Sequence, residues 1–319
     1  MHRFFGHGRL YHLSIFLFLV SCSGGQKPDL NFNASVANPT YTSNGPKVLF
    51  DEAHKNFHTA SGRYKPFVKL ITSDGYAVTP NMQKFSKETL AGYDILIISN
   101  AKGMDEKYKA AFTEEECDAV RDWVEQGGSL LLIADHHPMG GAAGGLAGRF
   151  GVEMSNSYGV EDSLHCDTGF TDKSQLVFSR ENGLLADCPI TRGRDSTERI
   201  GRVVSFTGQS LAVPDGSVPF LLLSPTAYEA LVDSIWTKKS FLSTNTYTRF
   251  SEVPTPAAGR AQGIAMKFGR GRVVILGEAA MLTAQINDRD GKPFGMNVPG
   301  NDDRQLALNI MHWLSGVLE

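Results

Sequence analysis

The sequence predicts an α/β protein: a doubly wound, mostly parallel sheet with an antiparallel extension and an inserted loop-rich segment. Three observations carry this reading. Residues 94–100 (DILIISN) and 129–133 (SLLLI) are apolar without alternation, the pattern of parallel strands covered on both faces. Such runs alternate with helical periods over the first half of the chain, as in successive βαβ units. The strands also break off abruptly into polar residues, above all where Ile133-Ala134 gives way to Asp135-His136-His137-Pro138 and a glycine-rich turn. A buried parallel strand delivers side chains to a cleft in this way.

In chain order, folding is expected to begin at Lys47. Val48, Leu49 and Phe50 form a first strand that ends in Asp51-Glu52-Ala53-His54. Tyr64, Phe67, Val68, Leu70 and Ile71 recur at helical spacing until Gly75 breaks the period, and residues 76–79 make a second strand. Residues 94–100 are the third. Helix 113–126 carries a capping box, Thr113 with Glu116 three residues on, apolar positions at Cys117, Val120 and Val124, and a stop at Gly127. It feeds the strand at Ser129. After a short helix ending near Phe150, residues 152–197 lack a clean period and read as an insertion or lid. Residues 203–206, 218–223, 263–268 and 272–276 read as strands, the last two joined by a hairpin around Gly269-Arg270-Gly271. A closing helix over 302–318 places Leu306, Ile310, Trp313 and Val317 on one face.

The 319 residues suffice for a large core, and a formal charge of −3 with acids and bases interspersed offers no basic stripe, so nucleic acid is not an expected partner. Arg3 and Arg9 precede an apolar run over 13–20 that is too short to span a bilayer, followed by Ser21-Cys22-Ser23-Gly24. This resembles a bacterial lipoprotein signal. The resemblance implies a leader over 1–21, lipid on Cys22, and a cell-envelope location on a membrane, with Ser23 favouring the outer one. Residues 22–46, polar and aperiodic, read as a flexible tether, leaving 47–319 as the folded domain. In an oxidising compartment Cys166 and Cys188 have the alternatives of a bridge or of two buried thiols, and Cys117 reads as core.

Loops leaving the carboxyl ends of parallel strands share one edge, where ligands bind. That rule gathers His54, Asp135, His136 and Glu278 as candidate catalytic residues. Asp51, Glu52, Asn100, His137, Gly140, Gly141, Asn297 and Asn301 are candidate ligand-binding residues. Imidazoles and carboxylates suit a divalent ion such as zinc, which would lower the pKa of bound water. No HExxH or Cys-x-x-Cys supports a metal, so no metal ligand is assigned and a divalent ion stays an option. The same residues without metal suit general acid–base catalysis, and a purely structural role as caps or ion-pair partners is the competing reading for each. DEAH at 51–54 is not a helicase box, because no GxxxxGK[ST] accompanies it.

FDEAHKNFHT near residue 50, EECDAVRDWVEQGGSLLLIADH with its glycine-rich turn, and the closing GRGRVVILGEAAMLTAQ and PGNDDRQLALNIMHWLSG carry a family resemblance. Together they are similar to an uncharacterised domain family of the class I glutamine amidotransferase-like superfamily. The branch is the one allied to the domain of gliding-motility and intraflagellar-transport proteins. The resemblance spans residues 47–316 and implies a flavodoxin-like three-layer sandwich. In amidotransferases the strand before the glycine turn ends in a nucleophile elbow bearing Cys; this sequence has Ala134-Asp135-His136 there. The expectation is therefore a catalytically degenerate domain that binds a small polar ligand, such as a carbohydrate, or an envelope partner. The alternative is a His/Asp/Glu-dependent hydrolase, with or without a metal.

Overall fold

A computed structural model describes residues 25–103, 110–167, 173, 175–239 and 244–319. The expected leader and Cys22 lie outside the described residues. Among those described, no helix is long and apolar enough to cross a membrane.

The fold is mixed α/β around a seven-stranded sheet. Its strands are β1 (Lys47–Asp51), β2 (Ala77–Asn81), β3 (Ile95–Ser99), β4 (Ser129–Ile133), β5 (Val218–Leu222), β6 (Ala261–Phe268) and β7 (Gly271–Leu276). They lie in the order β2-β1-β3-β4-β7-β6-β5. Strands β2, β1, β3, β4 and β7 are mutually parallel, and β6 runs antiparallel to both β7 and β5. The chain steps outward from β1 to β2 and then returns to place β3 on the other side of β1, the reversal at which open α/β sheets leave a crevice.

Both faces are covered, as the uninterrupted apolar strands require. Ile95, Ile97, Leu131 and Ile133 point to one core with helices α1 (Lys65–Ser73) and α4 (Asp303–Leu314). Leu96, Ile98, Leu130 and Leu132 point to the other with α2 (Glu114–Glu125) and α3 (Met139–Gly148). The two periods explain the match: alternate strand residues face opposite ways, while α1 and α2 each bury one stripe. The expected hairpin forms between β6 and β7, with Phe268 opposite Gly271. Smaller antiparallel sheets surround this frame.

Two expectations of segment behaviour are corrected. Residues 25–46 are no free tether. Gln26–Pro28 pairs with Ala284–Asn287, Phe32, Val36 and Tyr41 pack on the core, and Thr40 bonds His312 and Asp74. Scattered apolar residues and backbone pairing suffice to hold a stretch that shows no period. Nor is 152–197 laid over the domain as a lid: its described residues Val160, Leu176, Phe178, Leu185 and Ile190 belong to the α1/α4 core. Leu185 bridges to Leu221 at the sheet edge. Cys166 and Cys188 are free thiols, Cys188 buried beside Thr191 and Cys166 half-buried, so no bridge joins them.

Candidate functional site

The carboxyl edge of the sheet holds two polar clusters that differ in kind. The first is centred on His54, which follows β1. Its Nδ1 lies 2.9 Å from both Asp51 carboxylate oxygens and its Nε2 lies 2.9 Å from Glu116 Oε1. With a carboxylate on each side, both ring nitrogens carry protons and donate. Burial alone would lower the His54 pKa, but the bonds and charges of Asp51 and Glu116 outweigh it and the pKa rises above its usual 6.5. Burial likewise pushes Glu116 up, and the Thr113 N–H with His54 more than reverses this, leaving it below the ordinary value.

This node is fully used. Glu116 is also the capping-box residue of α2, taking the Thr113 N–H at 3.0 Å and the Phe85 N–H at 3.1 Å. The Asn56 amide donates to Asp51 at 2.9 Å. Phe85 and Phe112 close over the imidazole, each with its ring centroid 4.7 Å away. His54 ties β1 to α2; it offers no free atom to a substrate and does not join the other candidates.

The second cluster joins Asp135 and Glu278. Strands β4 and β7 are adjacent and parallel with Ile133 opposite Leu276, so Asp135 and Glu278, each two residues further on, come level beyond the strand ends. Asp135 is half-buried, takes the His136 N–H at 2.7 Å, and its own N–H donates to Asn100 Oδ1 at 2.9 Å. Glu278 is wholly buried, and its oxygens take the N–H groups of Ala280 (2.5 Å) and Met281 (2.8 Å). Burial raises the pKa of Asp135, with His136 offsetting part of the effect. Burial, then the Asp135 charge, pushes Glu278 well above the ordinary range. Neither carboxyl forms an ion pair with Lys or Arg among the described residues.

Beneath the pair runs a neutral floor. His58 Nδ1 lies 3.0 Å from Ser99 Oγ at the end of β3, and the Tyr64 hydroxyl donates to the Ala279 carbonyl at 2.8 Å. Burial, helped by the charges of Arg63 and Lys102, lowers the His58 pKa to about 3, so its ring stays uncharged. The backbone here is strained: Asn100 (φ 49°), Asn156 (φ 53°) and Thr207 (φ 75°) are left-handed without being glycine. A β-branched residue rarely adopts that conformation, and such strain collects at ligand sites.

Beside His136 and His137 stands an aromatic wall. Tyr158 lies 5.7 Å from the His136 ring and 4.9 Å from Phe250, which lies 6.0 Å from His137. Phe250 ends the ribbon of Val232–Lys239 with Thr244–Phe250, and Thr248 Oγ1 lies 3.3 Å from His137 Nε2. His136 Nδ1 donates to the His137 carbonyl at 2.8 Å. Its Nε2 has no hydrogen-bond partner among the described residues.

The remaining predicted residues divide by place. His137 and Gly141 share Asn156, whose Oδ1 lies 3.3 Å from His137 Nδ1 and takes the Gly141 N–H at 2.8 Å. Gly140 is required because a Cβ there would lie 2.1 Å from Gln209 Oε1. Gln209 in turn donates to the Ala134 and Asp135 carbonyls at 2.8 and 3.0 Å. Glu52 takes the Ala60 N–H and Asp51 serves His54. Asn297 donates to Asp29 and Gln285, and Asn301 to Gly295 and Asp303, so both are spent holding the 285–301 loop rather than facing the pair. Among the described residues, no group of three His, Cys, Asp or Glu is placed to hold a metal ion. Sequence reasoning missed Tyr158, Asn156, Thr207, Gln209 and Gln262. All but Gln262 come from segments with no strand or helix period to point at the edge, and Gln262 lies at the start of β6, just before the run that reads as a strand.

Neither a protein-family model nor a curated protein matches the sequence. Among solved structures, the chain is similar to the mmIFT52 N-terminal domain at 14% identity and a TM-score of 0.57, covering 85% of this chain and 97% of that one. It also aligns with ThuA-like proteins from Bacteroides uniformis (12% identity, TM-score 0.40, 88% of this chain and 93% of that one) and Parabacteroides merdae (12%, 0.41, 86% and 91%). The first likeness shows a shared fold.

Proposed function

We propose that this chain is a cell-envelope protein, held on a membrane by lipid on Cys22. In this reading its doubly wound, flavodoxin-like domain is a glutamine amidotransferase-like domain without a nucleophile, and it binds a small polar ligand such as a carbohydrate. One observation supports this most: the turn where an amidotransferase would carry its cysteine bears Asp135, set level with Glu278 and edged by Asn100, His136 and the Tyr158–Phe250 wall. Acceptors at the strand ends and an aromatic side wall are groups that orient a ligand, and thiolate chemistry has no residue to use there.

The test is a thermal-shift and amide-chemical-shift screen against sugars, polyols, amino acids and amines. Binders should perturb residues 134–137 and 277–280; a screen whose hits all map elsewhere overturns the reading. Replacing Cys22 by Ala should release the protein from the membrane fraction, and unchanged retention refutes the anchor.

A second reading, a hydrolase, is favoured by one feature. A carboxyl pair whose pKa values burial raises, beside His136, whose Nε2 has no hydrogen-bond partner among the described residues, has the parts of an acid and a base. Turnover of chromogenic glycosides or esters that is lost in Asp135→Asn would establish it. An envelope protein as the partner would instead appear as a stoichiometric crosslink at this edge.

A further inference from the structure

Resting on the reading of lipid on Cys22, we propose that the ribbon of Val232–Lys239 with Thr244–Phe250 is a second membrane contact, its outer face lying on an anionic lipid surface. The first support is how little slack the chain has. A free tether over 22–46 would let the domain float, but the segment is fastened from Gly25 onward. The Gly25 carbonyl takes the Asp288 N–H at 2.7 Å, and Gln26–Pro28 is paired with Ala284–Asn287. Only three residue steps separate Cys22 from Gly25, at most about 11 Å of extended chain.

The same fastening sets which side of the domain comes down. Helix α4 ends at the amino edge of the sheet, where the Leu314 carbonyl takes the hydroxyl of Ser129 at the start of β4, at 2.8 Å. The Ser35 carbonyl takes an N–H of Arg304 in the first turn of α4 at 2.7 Å, and Thr40 bonds His312 near its end at 2.8 Å. The segment therefore runs along α4 toward the amino edge, and its Gly25 end emerges at the carboxyl edge.

The ribbon stands on that carboxyl edge. Phe250 and Thr248 meet Tyr158 and His137, which makes theirs the inner face. Side chains alternate along a strand, so Tyr247 and Arg249, with Trp236 and Lys238 across from them, form the outer face. Trp236 is 46% exposed and stacks on Tyr247, the ring centroids 5.6 Å apart at 15°. Lys238 and Arg249 are exposed on either side of the two rings, have no ion pair among the described residues, and share their face with no acidic residue.

Such a face matches a headgroup layer. Indole and phenol rings settle at the bilayer interface, and lysine and arginine are drawn to anionic headgroups. The short link to the lipid keeps the ribbon at a high local concentration of those headgroups, so weak contacts suffice to dock it.

The experiment takes the lipid-bearing protein, its lipid on Cys22 verified by mass, into vesicles of phosphatidylcholine alone or mixed two to one with phosphatidylglycerol. A nitroxide-labelled headgroup quenches indoles near it. Expected is quenching of Trp236 emission in the mixed vesicles that disappears in Trp236→Phe, where buried Trp313 and half-buried Trp123 remain. Lys238→Gln and Arg249→Gln should each lower the ratio of docked to undocked protein by about fivefold, the usual weight of one cation at an anionic surface. Absence of Trp236 quenching in the lipid-bearing protein overturns the ribbon contact and leaves the anchor standing. Quenching as strong without phosphatidylglycerol, or untouched by both charge variants, overturns the anionic surface. A Trp236 emission shift with maltohexaose and none with vesicles overturns the lipid in favour of a sugar. A mass without lipid on Cys22 overturns the anchor itself, and this contact with it.

Discussion

His54 and the Asp135–Glu278 pair lie along one edge of one sheet and are made of the same residue types, yet they are opposites. At His54 each ring nitrogen meets a carboxylate and aromatic rings seal the cluster. At Asp135 and Glu278 two acids stand level past neighbouring strand ends, held by main-chain N–H groups with no Lys or Arg partner among the described residues, and Asp135 stays partly open. Charge pairing separates them: a buried cluster whose charges are all paired has nothing left to exchange with a ligand, whereas carboxyls that meet only main-chain N–H groups have no opposite charge of their own.

The contrast can be broken experimentally. The largest effect is expected from His54→Ala, which strands Asp51 and Glu116 as buried carboxylates with no cation between them. It should cost about 3–5 kcal/mol in urea melts, the usual penalty for removing one partner of a buried ion pair. A loss under about 1 kcal/mol would mean the node is not a structural clamp. Asp135→Asn should change stability at neutral pH by less than about 1 kcal/mol, because it removes a charge that disfavours ionised Glu278 while keeping an acceptor for the His136 N–H. A loss as large as that of His54→Ala would make the pair structural too.

The pH profile sharpens the same point. His54 has a folded pKa raised above 6.5, so its contribution is fully present below that value and fades as pH climbs through the folded pKa. Asp135 and Glu278 are also raised, so the folded state keeps protons that the unfolded chain gives up. Their effect is a loss of stability as pH rises from the ordinary carboxyl range through their folded values. Glu116 is lowered and works the other way, its contribution disappearing as pH falls below 4.5. His58, its pKa held at about 3, opposes the acid side, because the unfolded chain takes up a proton there as pH falls below 6.5; stability should therefore peak near neutral pH, and Asp135→Asn should flatten the decline toward alkaline pH. Melts at intervals from pH 4 to 9 would show it; a maximum above pH 8 contradicts the account. The smallest effect is expected from Thr207→Gly, which relaxes the φ of 75° and should raise stability by up to about 1 kcal/mol, at the expense of ligand affinity if the strain shapes the site.

Much of the frame was legible because it rests on local rules. The apolar runs of β3 and β4, the capping box of α2 and the β6–β7 hairpin are written in short windows. The site was legible only in part. Asp135 and Glu278 sit two residues past the ends of neighbouring parallel strands, which the strand-end rule anticipates; His54 sits past a strand end as well, and nothing local tells that Glu116, a capping residue on a later helix, will neutralise it. Tyr158, Asn156, Thr207 and Gln262 were not legible as a group, since their approach to the edge depends on long-range packing.

The sequence by itself determined the strand and helix periods, the mixed α/β class, the absence of a cysteine on the turn after β4, and which carboxyls and imidazoles follow strand ends. The tertiary structure alone decided which of those polar groups found partners. It also fastened residues 25–46 to the domain and drew described apolar residues of 152–197, such as Val160, Phe178 and Ile190, into the core. The physical reason is that periodicity reports which face of an element is buried, whereas pairing of charges and satisfaction of donors depend on neighbours brought together by strand order and register.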